Sequence, residues 1–128
     1  MSFAIANLKE LDDMAVQYGL APAIEARFAR EVLGCEITGI SYQRVAPNVR
    51  HPLAHRHGRQ EEIYVVISGG GRVNLDGTVR DLKPWDAVRV SAETVRGFEA
   101  GPEGLEMLVF GAPTDQRDTE MVEAEWPS

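Results

Sequence analysis

Apolar positions along this chain fall mostly in short alternating runs, each closed by glycine, proline or an Asp-Gly pair. Only near the start do they recur at helical spacing. Leu8, Leu11, Met14 or Ala15, and Tyr18 lie one turn apart, which predicts one short amphipathic helix over residues 7–18. Asn7 suits its N-cap with Glu10 in the capping-box place, and Gly19 suits its left-handed end. After Pro22 the pattern turns extended. Residues 25–33 alternate with Ala26, Phe28 and Val32 on one face, Gly34 breaks the run, and residues 37–45 alternate with Ile40 and Tyr42 on one face.

The next strands frame the most informative stretch, His55 to Gly71. His55 and His57 stand two apart, which on a strand turns both imidazoles to one face. Residues 58–61 read as a turn, and Glu62 opens a second strand over 62–67, rich in β-branched and aromatic residues and apolar on both faces, as in a doubly buried strand. An antiparallel hairpin returns Glu62 to the histidines. Gly69, Gly70 and Gly71 have no helix pattern after them, so they read as a tight strand turn and not as a phosphate loop. Asp76-Gly77 between alternating runs is a strong hairpin signal. Strands follow over 87–90, 95–98 and 105–110, with turns at 91–94 and 101–104. From Pro113 the chain is polar and acidic, an extended tail with Trp126 as its anchor. Many short strands with frequent turns mean a sandwich or small barrel.

Two imidazoles and a carboxylate on one face, with positions left open, suit Fe(II), Mn(II), Ni(II) or Zn(II). The alternative is a charged hairpin end in which Glu62 pairs with Arg56 or Arg59. Arg96 and Phe98 share a strand parity; Phe98 belongs inside, so Arg96 points inward with it. Tyr42, Tyr64 and Trp85 are aromatic candidates for lining a pocket.

The stretch resembles the first signature of the cupin family, G-x5-H-x-H-x3,4-E-x6-G. His55, His57, Glu62 and Gly69 match it, and Val49 stands for the first glycine. In the second signature, G-x5-P-x-G-x2-H-x3-N, every fixed position departs: Trp85, Ser91, Glu93, Arg96 and Ala100 stand for Gly, Pro, Gly, His and Asn. The resemblance spans roughly residues 40–112. It implies an all-β antiparallel jelly-roll barrel behind one short N-terminal helix, with His55, His57 and Glu62 as metal ligands and Arg96 where the last histidine would be. An arginine offers donors and no lone pair, so it cannot serve as that ligand.

Composition changes this picture little. At 128 residues the chain is expected to form one domain, with a helical segment at 1–22, a barrel at 23–112 and an acidic tail at 113–128. A net charge of -7 argues against nucleic acid and acidic membranes as partners. The single cysteine, Cys35, fits a reducing compartment; with no signal-peptide pattern and no long apolar run, a cytoplasmic place is expected. A homodimer is expected, joined through the first β region and the tail.

Three functional readings follow. In one, Arg96 pairs with Glu62 and the barrel is a small-molecule binding or sensory module for an anionic ligand, with Arg96, Tyr64, Phe98 and Tyr42 lining its mouth. In another, His55, His57 and Glu62 hold a divalent metal in an enzyme such as a dioxygenase or isomerase, and Arg96 binds an anionic substrate. In the third, the barrel is purely structural, or Glu93 or His51 completes the metal site.

Overall fold

The computed structural model describes residues 2–111 and 118–127. Eight strands form one curled antiparallel sheet: β1 (Ile24–Phe28), β2 (Ile40–Val45), β3 (Ala54–His57), β4 (Glu62–Leu75), β5 (Thr78–Leu82), β6 (Ala87–Val90), β7 (Arg96–Gly111) and β8 (Thr119–Val122). Along one path the order is β1-β2-β7-β3-β8, while β4 pairs with β5, β6 and β7. The long strands β4 and β7 make the curl. Their mutual register shifts between Val66 and Ser68 and again between Gly69 and Gly71. The first half of β4 therefore meets β6 and the second half meets β5. Bulges of this kind bend a strand and increase its twist.

The glycine run is thus no turn. It lies inside β4 where the two long strands press together. A Cβ on Gly69 would stand 2.0 Å from the Gly104 carbonyl oxygen, and one on Gly71 2.0 Å from that of Glu99. Only glycine lets the backbones approach so closely. For the same reason residues 101–104 form no separating turn and run within β7.

The short N-terminal helix is α1 (Met14–Gln17), preceded by a separate 3-10 turn at Leu8–Glu10. Asn7 caps the turn through the Lys9 N–H and Asp13 caps α1 through the Ala15 N–H. Asp13 splits the expected longer helix, because a short carboxylate competes for backbone N–H groups inside a helix and satisfies them at its start. The expected strand over 25–33 also divides. β1 ends at Phe28 and α2 (Arg30–Leu33) follows, closed by Gly34 in the left-handed conformation. Of the expected tail, residues 113–117 and 128 lie outside the described part, and Thr119–Val122 is a strand, β8, paired with β3.

Register settles which side chains face the interior. Val45 opposes Leu105, Val66 opposes Met107, Tyr64 opposes Val109 and Val73 opposes Phe98; all eight are buried in one core. β4 alternates, with Ile63 exposed between buried Glu62 and Tyr64, so its outer face is not doubly buried. On the outer face of β1 and β2, buried Glu25 takes ion pairs from Arg27, Arg44 and Lys9. Among the described residues no helix is long and apolar enough to cross a membrane.

Candidate functional site

β3 does not pair with β4 to form the expected hairpin; it pairs with β7 and β8. His55 lies directly opposite Arg96 on β7, so both point to the same inner face, as does His57 two residues on. Glu62 reaches the pair across the barrel from β4. His55 Nε2 lies 3.3 Å and His57 Nε2 3.1 Å from Glu62 Oε1. The Tyr64 hydroxyl donates to the same oxygen at 2.6 Å and lies 3.4 Å from His55 Nε2. Burial pushes the Glu62 carboxyl up, but the hydrogen bonds from His55, His57 and Tyr64 outweigh it and hold the group well below the usual range. Burial first, and then the Glu62 charge, push the Tyr64 hydroxyl well above its ordinary value.

Arg96 is wholly buried, with 0% of its surface exposed. Its Nη2 donates to the Ser91 carbonyl at 2.8 Å, and its Nη1 lies 3.9 Å from Glu62 Oε1. Nε and Nη1 have no hydrogen-bond partner among the described residues. Glu62 therefore faces Arg96 and not Arg56, which pairs with Glu120. Phe98 packs against Tyr64 with ring centroids 4.7 Å apart.

The other candidates stand apart. Tyr42 sits on the outer face, where its hydroxyl donates to Glu106 Oε1 and accepts from Lys9. Trp85 is 77% exposed on a turn with φ of 73°. Its place is the one where the cupin signature has glycine, so the left-handed backbone persists without it. His51 accepts the Leu53 N–H at Nδ1, and its pKa is lowered to about 4 by burial and by His55. Among the described residues neither His51 nor Glu93 joins the histidine–glutamate group.

Sequence reasoning missed Asp118 and Thr119. Asp118 accepts the backbone N–H groups of Gly58, Arg59 and Gln60, the turn that separates the histidines from Glu62. Thr119 Oγ1 lies 3.2 Å from His57 Nδ1. Both come from a segment about sixty residues away with no local signal. A cleft of about 850 Å³ opens on this side of His57, lined also by Arg56, Asp76, Glu93, Asp118 and Glu120.

A cupin-domain family profile matches residues 41–111. The chain belongs to the cupin family. Solved structures share this cupin's fold at low identity. The nucleoside dehydratase Pac13 of Streptomyces aligns with a TM-score of 0.73 at 17% identity, over 96% of this chain and 93% of that one. The polyketide cyclase RemF of Streptomyces resistomycificus aligns at 0.74 and 20% identity, over 98% and 87%. KdgF of Halomonas sp. aligns at 0.69 and 22% identity, over 91% and 97%. No curated protein sequence matches the chain.

The donor set of this cupin can hold a metal: ligand atoms of His55, His57 and Glu62 all lie within 4.8 Å of one another. Two imidazoles and a carboxylate fit a divalent ion at three positions. On the fourth side stands the Arg96 guanidinium, a permanent cation without a lone pair.

Proposed function

We propose that this cupin binds a small anionic organic molecule, with Arg96 as the cation that selects it. The observation that carries this reading is Arg96 itself: fully buried, only loosely paired with Glu62, and with Nε and Nη1 unpartnered. A buried donor left unsatisfied costs about 1–3 kcal/mol, so a ligand oxygen meeting it is favoured. His55, half-buried beside Tyr64, offers the ligand a second polar contact. A cytoplasmic homodimer is part of this reading.

The test is calorimetric titration with acetate and benzoate, alongside Arg96→Met, which removes the charge and keeps much of the volume. Binding to wild type and its loss in Arg96→Met support the reading. A wild type that binds neither acid, or an Arg96→Met protein that binds as well as wild type, overturns it.

A second reading, a metal-dependent enzyme, is favoured by the convergence of His55, His57 and Glu62 and by the enzymes among its structural neighbours. A divalent ion held by these three residues would supply Lewis-acid chemistry. In that case Arg96 holds the anionic part of the substrate, and the Tyr64 hydroxyl orients the rest.

A further inference from the structure

Thr119 on β8 stands directly opposite His57 on β3, so the two side chains share a face. Each nitrogen of the buried His57 ring has a neighbour of its own. Nε2 lies 3.1 Å from Glu62 Oε1, and Nδ1 lies 3.2 Å from Thr119 Oγ1. Asp118 Oδ2 stands farther off, 3.8 Å from Nδ1. A neutral imidazole carries one N–H and one lone pair, and its neighbours decide which nitrogen has the proton. Glu62 Oε1 already accepts the Tyr64 hydroxyl at 2.6 Å, so it is an acceptor and calls for the proton on Nε2. Nδ1 must then accept. The Asp118 carboxylate accepts the N–H groups of Gly58, Arg59 and Gln60 and has no proton to give. The Thr119 hydroxyl has one.

The consequence reaches Arg96. Its Nη1 stands 3.9 Å from Glu62 Oε1, beyond a hydrogen bond. The Tyr64 hydroxyl and His57 Nε2 fill the lone pairs of that oxygen, with His55 Nε2 a longer contact at 3.3 Å. A proton on His57 Nε2 thus keeps Glu62 satisfied and leaves Nε and Nη1 of Arg96 for a ligand. With the proton on Nδ1 instead, the Nε2 lone pair would face the carboxylate oxygen. Arg96 would then be drawn in to take the vacated place, since a buried acceptor left without a donor is costly.

We infer that Thr119 is a positioning residue for the anion site: its hydroxyl fixes His57 as the Nε2–H tautomer, which holds Glu62 away from Arg96. The role in binding rests on the anionic-ligand reading above; the tautomer does not. Valine has the shape of threonine without its hydroxyl and suits a strand equally. Thr119→Val therefore removes the donor and keeps β8. Asp118 is then the polar partner left beside Nδ1 and draws the proton there. Thr119→Ser keeps a hydroxyl in place.

Heteronuclear NMR of the ring nitrogens, on the full chain at neutral pH, reads the tautomer, with His57→Gln to assign the signals. Wild type and Thr119→Ser are expected to show His57 protonated at Nε2 and bare at Nδ1, and Thr119→Val should exchange the two. Calorimetry with benzoate should find Thr119→Val weaker by about fivefold, the worth of one hydrogen bond, and Thr119→Ser within about twofold of wild type. If Thr119→Val does not fold, Thr119→Ala takes its place and is read the same way. A wild-type His57 protonated at Nδ1 or at both nitrogens, or a tautomer that Thr119→Val leaves unmoved, overturns the inference. A tautomer that moves while benzoate affinity stays overturns the link from Thr119 to Arg96 and leaves the anion site standing. If wild type binds no acid, the anionic-ligand reading fails and the positioning role fails with it, whatever the tautomer.

Discussion

Replacing Arg96 by histidine tests how one side chain sets the metal chemistry of the barrel. A divalent ion held by Glu62 Oε1 would sit about 2 Å from that oxygen. Arg96 Nη1 lies 3.9 Å from the same oxygen, so ion and guanidinium nitrogen would be no more than about 6 Å apart. At an effective dielectric constant near 20, charges of +2 and +1 at that distance repel by roughly 5 kcal/mol. Solvent entry and side-chain movement reduce the figure, and the histidine gives up the Ser91 contact. It also adds a lone-pair donor where there was none. A tenfold gain in affinity, about 1.4 kcal/mol, is therefore a conservative floor. Titration of tag-free protein with Mn(II), Ni(II) and Zn(II) should show weak or no binding to wild type and the gain in Arg96→His, with Mn(II) weakest. Adding His57→Ala should abolish it. A wild type that already binds one ion per chain below micromolar concentration refutes the reasoning and favours the metal enzyme. An Arg96→His protein no better than wild type means that the guanidinium does not govern the site.

Three further substitutions probe the scaffold. Trp85→Gly should raise unfolding free energy by about 0.5–1 kcal/mol, since a non-glycine residue at positive φ is strained by more than glycine loses in chain entropy; urea titration showing a loss contradicts this. Gly71→Ala should lower stability by about 3 kcal/mol or prevent folding, because its Cβ meets the Glu99 carbonyl at 2.0 Å; a loss below about 1 kcal/mol would mean that β4 and β7 can part without harm. Burial raises the Glu25 carboxyl, but hydrogen bonds from Arg27 and Arg44 and the charge of Lys9 outweigh it and lower its pKa to about 2. Its contribution is therefore present above the unfolded value near 4.5 and lost as pH falls from there toward about 2. It amounts to about 2 kcal/mol with the partners partly exposed, so Glu25→Gln should flatten the acid limb of a stability–pH curve.

Alternation alone made the heart of the site legible. His55 with His57, and Arg96 with Phe98, face inward because strand parity is a local property that bulges elsewhere leave intact. Pairing was less visible. Residues 58–61 read as a simple hairpin turn, yet β3 takes β7 and β8 as neighbours, a choice made by the whole barrel and by Asp118 far along the chain. The glycines of β4 looked like punctuation because a sequence cannot tell a turn from a close crossing of two strands. Tyr42 was misplaced for a related reason. Parity assigned it to a face with Ile40, but only the register with β7 shows that this face is the outer one.

Trp126 carries an optical consequence. Its ring lies beneath the Arg50 guanidinium, 4.3 Å from the ring centroid, with Arg72 at 5.6 Å. The chain has only two tryptophans, so Trp85→Gly leaves Trp126 as the single indole. Its emission then becomes a private signal from the C-terminal segment that follows β8, the strand beside His57. Fast-mixing fluorescence on that protein can time the release of this segment from Arg50 separately from the melting of the barrel, with no dye attached.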